Sequence, residues 1–284
     1  MLLDIVIPAH NEEGRIDATL AAYRAVCTAP GTRFVVALDD CSDHTRDIVD
    51  RHAGTDNRVV ARDYPKLGKG GVIMESFRAS DADLLAFVDA DCATPPAELL
   101  RLVEVTEAGQ TDGAIAARWH PSAVLPGHRQ RPLRRRTASQ LFAIAVRRLF
   151  GLPYSDTQCG AKVLRRRLVD RVVPLLSSRD LVFDVDLLFT ARRLGFRIAE
   201  VPTVWVDRPG SRIAVGQDSR RMAASLLRLW LHHRVLPVTP AGDLPAYPSE
   251  PTTVAGLIPP PQAKRKSLIA PIPRWREDRD RVPH

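Results

Sequence analysis

Short apolar runs recur through the first half of the chain, each followed by a stretch in which apolar residues return at helical spacing. Leu2 to Ile7, Phe34 to Leu38, Val59 to Ala61, Leu84 to Val88 and Gly113 to Ala117 read as strands. Between them Ile16, Leu20, Tyr23 and Cys27 share one helix face, Ile48 and Val49 follow a Ser42/Asp43 helix start, and Leu99, Leu100 and Val103 follow Pro95-Pro96. Strands that alternate with helices across short crossovers predict an α/β fold with a mostly parallel central sheet. The unbroken apolar character of Leu84 to Val88 suits a strand covered on both faces.

After Ala117 the pattern changes. A basic loop runs from Arg118 to Arg136, a helix-like stretch from Thr137 to Phe150, and a polar turn from Tyr154 to Gln158. Phe183 to Leu194 reads as helix and Phe196 to Val206 as strand, broken at Pro202; this half is expected to build an acceptor side. Ser219 to Val235 sets Leu226, Leu227, Trp230 and Leu231 among Arg220, Arg221, Arg228, His232, His233 and Arg234. That basic amphipathic pattern fits equally a helix lying among lipid headgroups and a terminal helix packed on the domain. From Pro237 to His284 prolines recur without apolar period, which predicts a largely irregular or disordered tail. The expected organisation is a main domain over 1–215, the amphipathic helix over 216–236 and the Pro-rich tail over 237–284.

Composition narrows the class. The chain has 284 residues, 45% hydrophobic and 26% charged, as expected of a globular protein able to bury a sizeable core. Cys27, Cys41, Cys92 and Cys159 are scattered without a CxxC pair, which indicates neither a zinc site nor a disulfide framework and points to a reducing cytoplasm. No apolar stretch reaches the ~18–20 residues needed to span a bilayer. The expectation is a cytoplasmic protein, if membrane-bound then peripherally on the cytoplasmic face. A net charge of +8 favours polyanionic partners, and without a nucleic-acid-binding motif these are phosphorylated substrates or an anionic membrane rather than nucleic acid.

The Leu84 to Val88 run ends in Asp89-Ala90-Asp91. Ligands gather outside the carboxyl ends of strands in open α/β sheets, and two hard oxygen donors with room for water and phosphate suit Mg²⁺ or Mn²⁺. The plainer reading is a pair of carboxylates capping the helix announced by Thr94-Pro95-Pro96. The first strand leads into Ile7-Pro8-Ala9-His10-Asn11-Glu12-Glu13, the second into Asp39-Asp40-Cys41-Ser42-Asp43-His44-Thr45. Ser42 and Asp43 read as an Asx turn and helix cap. Leu67-Gly68-Lys69-Gly70-Gly71 opens another helical stretch, with glycines that allow close approach and a lysine charge suited to phosphate.

Taken together these segments resemble the family 2 glycosyltransferases of GT-A fold, whose first loops read I-P-x-x-N-E and D-D-x-S-x-D-x-T. The second half looks like the polyprenyl-phosphate sugar synthases, nearest the dolichyl-phosphate glucosyltransferase branch. It carries Asp156-Thr157-Gln158-Cys159-Gly160-Ala161-Lys162, Phe183-Asp184-Val185-Asp186-Leu187-Leu188, Glu200-Val201-Pro202 and Pro209-Gly210-Ser211-Arg212. The resemblance covers about residues 1–215. It implies transfer of a hexose, with inversion, from a nucleotide sugar to a polyprenyl monophosphate, the donor being UDP-glucose or GDP-mannose. It further implies that Pro8, Glu12 and Asp39 contact base and ribose, with Ala9, Asn11, Asp40, Lys69 and Ala90 lining the same donor site. Asp89 and Asp91 would hold the metal; Ala93 stands where many relatives carry a glutamine.

A phosphate acceptor is already ionised near neutral pH, so cationic groups that orient it matter more than a strong base. Arg118, Arg129, Arg131 and Arg212 are the candidates, although Ala116-Ala117 replaces the Gly-Ser pair that precedes the family's arginine. Arg134-Arg135-Arg136 reads equally as a solvated or membrane-facing patch. Asp156 is the first choice as acceptor-side base or orienter. Asp184 is favoured over Asp186, since residues two apart on a helix point in different directions. Cys159 is read as a small buried thiol rather than a nucleophile. The alternatives are the same chemistry on a soluble small acceptor, and a nucleotide-sugar-binding protein without catalysis.

Overall fold

A computed structural model describes residues 1–126, 133–206 and 217–235. In chain order the elements are β1 (Leu3–Ala9), α1 (Ile16–Val26), β2 (Thr32–Asp39), α2 (Thr45–Ala53), β3 (Val59–Tyr64), α3 (Lys69–Arg78), β4 (Leu84–Phe87), α4 (Pro96–Glu107) and β5 (Gly113–Ala117). They continue with α5 (Leu133–Phe150), β6 (Lys162–Arg165), α6 (Arg166–Val172), a 3-10 turn at Val173–Leu175, α7 (Phe183–Arg193), β7 (Ile198–Pro202) and α8 (Gln217–Val235). The strands form one seven-stranded sheet in the order β3-β2-β1-β4-β6-β5-β7. β3, β2, β1 and β4 are mutually parallel, β5 and β7 are parallel to each other, and β6 runs antiparallel to both of its neighbours.

Both faces of the sheet are covered, which is why its strands are apolar at nearly every position. Ile5, Ile7, Phe34, Val36 and Ala86 pack with Ile16, Leu20 and Tyr23 of α1 and Leu99 and Leu102 of α4. Val6, Val35, Leu85 and Phe87 point the other way, onto Val72 and Phe77 of α3, Leu168 of α6 and Phe183 and Leu187 of α7. The same side includes Val146 of α5 and Leu226 and Leu229 of α8, so the terminal helix packs on the domain along one face.

Several local expectations shift. β6 was not legible as a strand: of its four residues only Val163 and Leu164 are apolar, and it begins inside the quoted motif Asp156 to Lys162. β7 is shorter than expected, ending at Pro202, and among the described residues beyond it Val204 bridges to Val124. α4 takes Pro95 as N-cap, with no side-chain cap from Thr94. Arg129, Arg131, Pro209 to Arg212 and the tail over 237–284 lie outside the described residues.

The reversed strand has a functional consequence. β1, β2, β4 and β5 deliver their carboxyl ends to one edge of the sheet, and antiparallel β6 delivers its beginning there. Lys162 pairs in register with Phe87 of β4 and Ile115 of β5. The turn before β6 therefore lies against the end of β4.

Candidate active site

Asp89 and Asp91 sit just past β4. The Lys69 ammonium, in the first turn of α3, lies 2.8 Å from Asp89 Oδ1 and 3.9 Å from Asp184 Oδ2. Asp184 Oδ1 is held by Lys162 Nζ at 2.5 Å, and the same ammonium donates to the Cys159 carbonyl at 2.8 Å. The opposite side of Asp89 is walled by Gly160, where a Cβ would come 1.9 Å from Asp89 Oδ2. Asp91 Oδ1 accepts from the Ala93 N–H at 2.9 Å. Asp186 points elsewhere and accepts from the Ser177 and Ser178 N–H groups and from His233.

The charges of this cluster are interdependent. Burial favours the neutral form of Asp89, but Lys69, Lys162 and Arg118 outweigh it and lower its pKa. Asp91 is pushed up, by burial and then by the neighbouring Asp89 charge. Burial would discharge Lys69, yet Asp89 and Asp184 more than offset this and raise its pKa. A second carboxylate whose ionisation is disfavoured by the first makes a site suited to a cation. Among the described residues no group of three His, Cys, Asp or Glu side chains gathers to hold a metal. A divalent ion fits Asp89 and Asp91 as two hard oxygen donors, the rest of its shell coming from water and donor oxygens.

The donor-side loops are stitched to one another. Asp39 accepts from the Leu67 N–H at 2.6 Å and the Gly68 N–H at 3.1 Å, fixing the turn that starts α3. Gly68 has φ +80°, and a Cβ there would meet the Arg179 carbonyl at 2.7 Å, so glycine is required at this corner. Asn11 Oδ1 accepts from the Ser42 and Asp43 N–H groups, while Asp43 accepts from the Glu13 and Thr45 N–H groups. Glu12 pairs with Arg15 at 2.5 Å and its N–H donates to Thr45. Pro8 is half-buried and Ala9 and Ala90 are buried, whereas Asp40 is exposed. Asn11, Asp40 and Cys92, at φ 56°, 55° and 51°, adopt the left-handed conformation in the loops after β1, β2 and β4. Such strained backbone at three neighbouring strand ends is typical of binding sites.

On the other side of Asp89, Arg118 follows β5 and is gripped by Asp156. Arg118 Nε donates to Asp156 Oδ2 at 2.6 Å and Nη2 to Oδ1 at 3.0 Å, and the Arg118 N–H adds a third bond at 3.0 Å. Trp119 and Trp205 flank the guanidinium at 5.6 and 5.5 Å. Burial alone would raise the Asp156 pKa, but Arg118 reverses the sign and holds its carboxyl below the usual range. Glu200 accepts from the Ser155 and Asp156 N–H groups at 2.7 and 3.0 Å, bracing the turn that carries Asp156. Cys159 is fully buried and burial pushes its thiol up to about 11, which suits packing rather than nucleophilic attack. Arg212 is not among the described residues.

Sequence reasoning gave no role to Gly160, Lys162, Glu200 or the two tryptophans. The first three lie within motifs it quoted, yet their partners, Asp89, Asp184 and the Ser155–Asp156 backbone, are distant in sequence and meet only through the β6 reversal.

Among known proteins, the chain is 31% identical over 242 residues to glycosyltransferase AglD of Haloferax volcanii, covering 83% of this chain but only 38% of that protein. It is 28% identical over 250 residues to the dolichyl-phosphate beta-glucosyltransferase of Saccharomyces cerevisiae, covering 80% and 73%. It is 28% identical over 210 residues to the polyprenol monophosphomannose synthase of Mycolicibacterium smegmatis, covering 72% and 77%. Its fold matches glucosyl-3-phosphoglycerate synthase of Mycobacterium tuberculosis, solved with Mn²⁺, uridine diphosphate and glucosyl-3-phosphoglycerate, with a TM-score of 0.60, 20% identity and coverage of 85% and 81%. The family model for glycosyl transferase family 2 matches residues 4–173, and the chain belongs to that family.

Proposed function

We propose that this chain is an inverting hexosyltransferase that moves a sugar from UDP-glucose or GDP-mannose to a polyprenyl monophosphate. The observation that carries the reading is the arrangement around Asp89: two carboxylates and Lys69 on one side, and Arg118, gripped by Asp156 between two tryptophans, on the other. Relatives named for transfer to dolichyl and polyprenyl phosphates support the acceptor class.

In this reading the loops after β1 and β2 hold the nucleoside, with Pro8, Ala9, Asn11, Glu12, Asp39 and Asp40 around base and ribose. A divalent cation on Asp89 and Asp91, Mg²⁺ or Mn²⁺, supplies charge neutralisation for the departing diphosphate. Lys69 faces that diphosphate as a second positive group. The acceptor phosphate oxygen forms a bond to the anomeric carbon as the diphosphate oxygen leaves with its electron pair from the opposite face, inverting configuration. Arg118 orients the acceptor phosphate. Its Nη1 has no hydrogen bond to the described residues, while Nε and Nη2 are committed to Asp156. Asp156 is then a positioning residue. Its lowered pKa and full set of partners fit holding Arg118 rather than taking a proton, and an ionised acceptor supplies no proton that must be removed.

Exposed apolar residues on α5 and α8, which pack together on one face of the sheet, favour a lipid acceptor. Leu141 and Ile144 of α5 are exposed, as are Leu227, Leu231 and Val235 of α8, among exposed Arg147, Arg148, Arg220, Arg221, Arg228 and Arg234. No helix among the described residues is long and apolar enough to cross a membrane. Peripheral contact at a cytoplasmic membrane face is the corresponding proposal. The test offers each nucleotide sugar with Mn²⁺ or Mg²⁺ to a short polyprenyl phosphate and, separately, to soluble phosphorylated acids, with products identified by mass. A hexosyl-phosphoryl-prenol is expected; products on soluble acids alone would move the assignment to a soluble acceptor.

A further inference from the structure

We propose that Lys69 is the resident counter-ion of Asp89: it holds that carboxylate while the site is unloaded and passes to Asp184 and the donor diphosphate when a divalent cation takes its place. This rests on the reading of Asp89 and Asp91 as the metal-holding pair.

The two lysines of the cluster differ in commitment. Lys162 is fully buried, and its ammonium is bonded to Asp184 Oδ1 and to the Cys159 carbonyl, so it is fixed by β6 and by two partners. The Lys69 side chain is 22% exposed, reaches in from the first turn of α3, and has a carboxylate on each side, Asp89 at 2.8 Å and Asp184 Oδ2 at 3.9 Å. A small rotation of its flexible stem exchanges one for the other. The face of the Phe87 ring lies under both ammonium groups, at 5.8 Å from Lys69 and 5.1 Å from Lys162, and favours a cation at either position.

Charge explains why the exchange needs both ligands. Asp89, Asp91 and Asp184 face Lys69 and Lys162, so with all five groups ionised the cluster is short by a single positive charge. A divalent ion alone must compete with Lys69 for Asp89, and would leave that ammonium crowded against a second cation. A diphosphate arriving with the ion gives Lys69 an anion to face. Metal and nucleotide should therefore bind with strong mutual assistance, and Lys69 should be its source.

The experiment is a Mn²⁺ titration of the full chain followed by electron paramagnetic resonance of the free ion, with and without UDP or GDP, on wild type, Lys69→Met and Asp91→Asn. Removing an ion-paired competitor at this separation should tighten Mn²⁺ binding without nucleotide by at least about tenfold, and the further gain on adding nucleotide should shrink by a similar factor. Lys69→Gln serves as the second variant should Lys69→Met fail to fold. Mn²⁺ affinity in the lysine variant equal to or weaker than wild type, with Asp91→Asn binding poorly, would overturn the proposal while leaving the metal site standing. Absence of Mn²⁺ binding by every protein, even with nucleotide, would overturn both.

Discussion

In the proposed mechanism Gly160 and Asp156 each act through a second residue. An alanine Cβ at position 160 would overlap Asp89 Oδ2, so Gly160→Ala must displace the carboxylate from the ion it would hold. A misplacement on that scale should lower transfer by about 10²-fold, with the thermal midpoint moving by no more than about 4 °C. Unchanged steady-state rates in the variant would remove Gly160 from the account. For Asp156→Asn the loss is a buried charge partner of Arg118, expected to cost about 3–5 kcal/mol at pH 7. The sign with pH follows from the lowered Asp156 pKa. The pairing contributes fully above the unfolded carboxyl value of about 3.9 and is lost as pH falls through the lower folded value. Urea midpoints of wild type and Asp156→Asn should therefore converge as the buffer is taken below pH 4; a gap that stays constant would show that the ion pair is not what stabilises the turn. Asp89 and Asp91 were legible because a short apolar run and its terminal carboxylates are contiguous. Lys162 and Glu200 were not, because their chemistry depends on partners brought close only by the folded sheet.

At the scale of elements, α8 packs on the domain, one of the two readings that its sequence left open, and membrane contact by its other face is the proposal. One face, with Leu226, Leu229 and His233, packs inward, and His233 bonds Asp186 of α7 at 2.8 Å. The stripe of Leu227, Leu231 and Val235, four residues apart, remains 52%, 48% and 76% exposed, with Arg228 and Arg234 beside it. The periodicity alone could not separate these outcomes, because both stripes are apolar. The double substitution Leu227→Glu and Leu231→Glu should leave the melting temperature unchanged and abolish co-flotation with anionic vesicles. Co-flotation that survives the substitution would place membrane contact elsewhere. The parallel half of the sheet was likewise legible from its unbroken apolar runs and short crossovers. β6 was hidden because only two of its four residues are apolar, and with it went the reason why a lysine and a glycine from the second half reach the end of β4.

Across the whole molecule, the sheet divides the work. In the proposed mechanism β1, β2 and β4 with α3 carry the donor side, and β5, the turn before β6 and Trp205 after β7 carry the acceptor side, meeting at Asp89. The reversal of β6 joins the two halves, and a net charge of +8 suits the anionic donor, acceptor and membrane surface proposed for it. The most direct test of the account is the mass-identified product of wild type and Asp91→Asn, each given a nucleotide sugar, Mn²⁺ and a short polyprenyl phosphate. A hexosyl-phosphoryl-prenol formed by the wild type, and lost both in the variant and in EDTA, is the predicted result; the same product made at the wild-type rate by Asp91→Asn, or undiminished in EDTA, would contradict it.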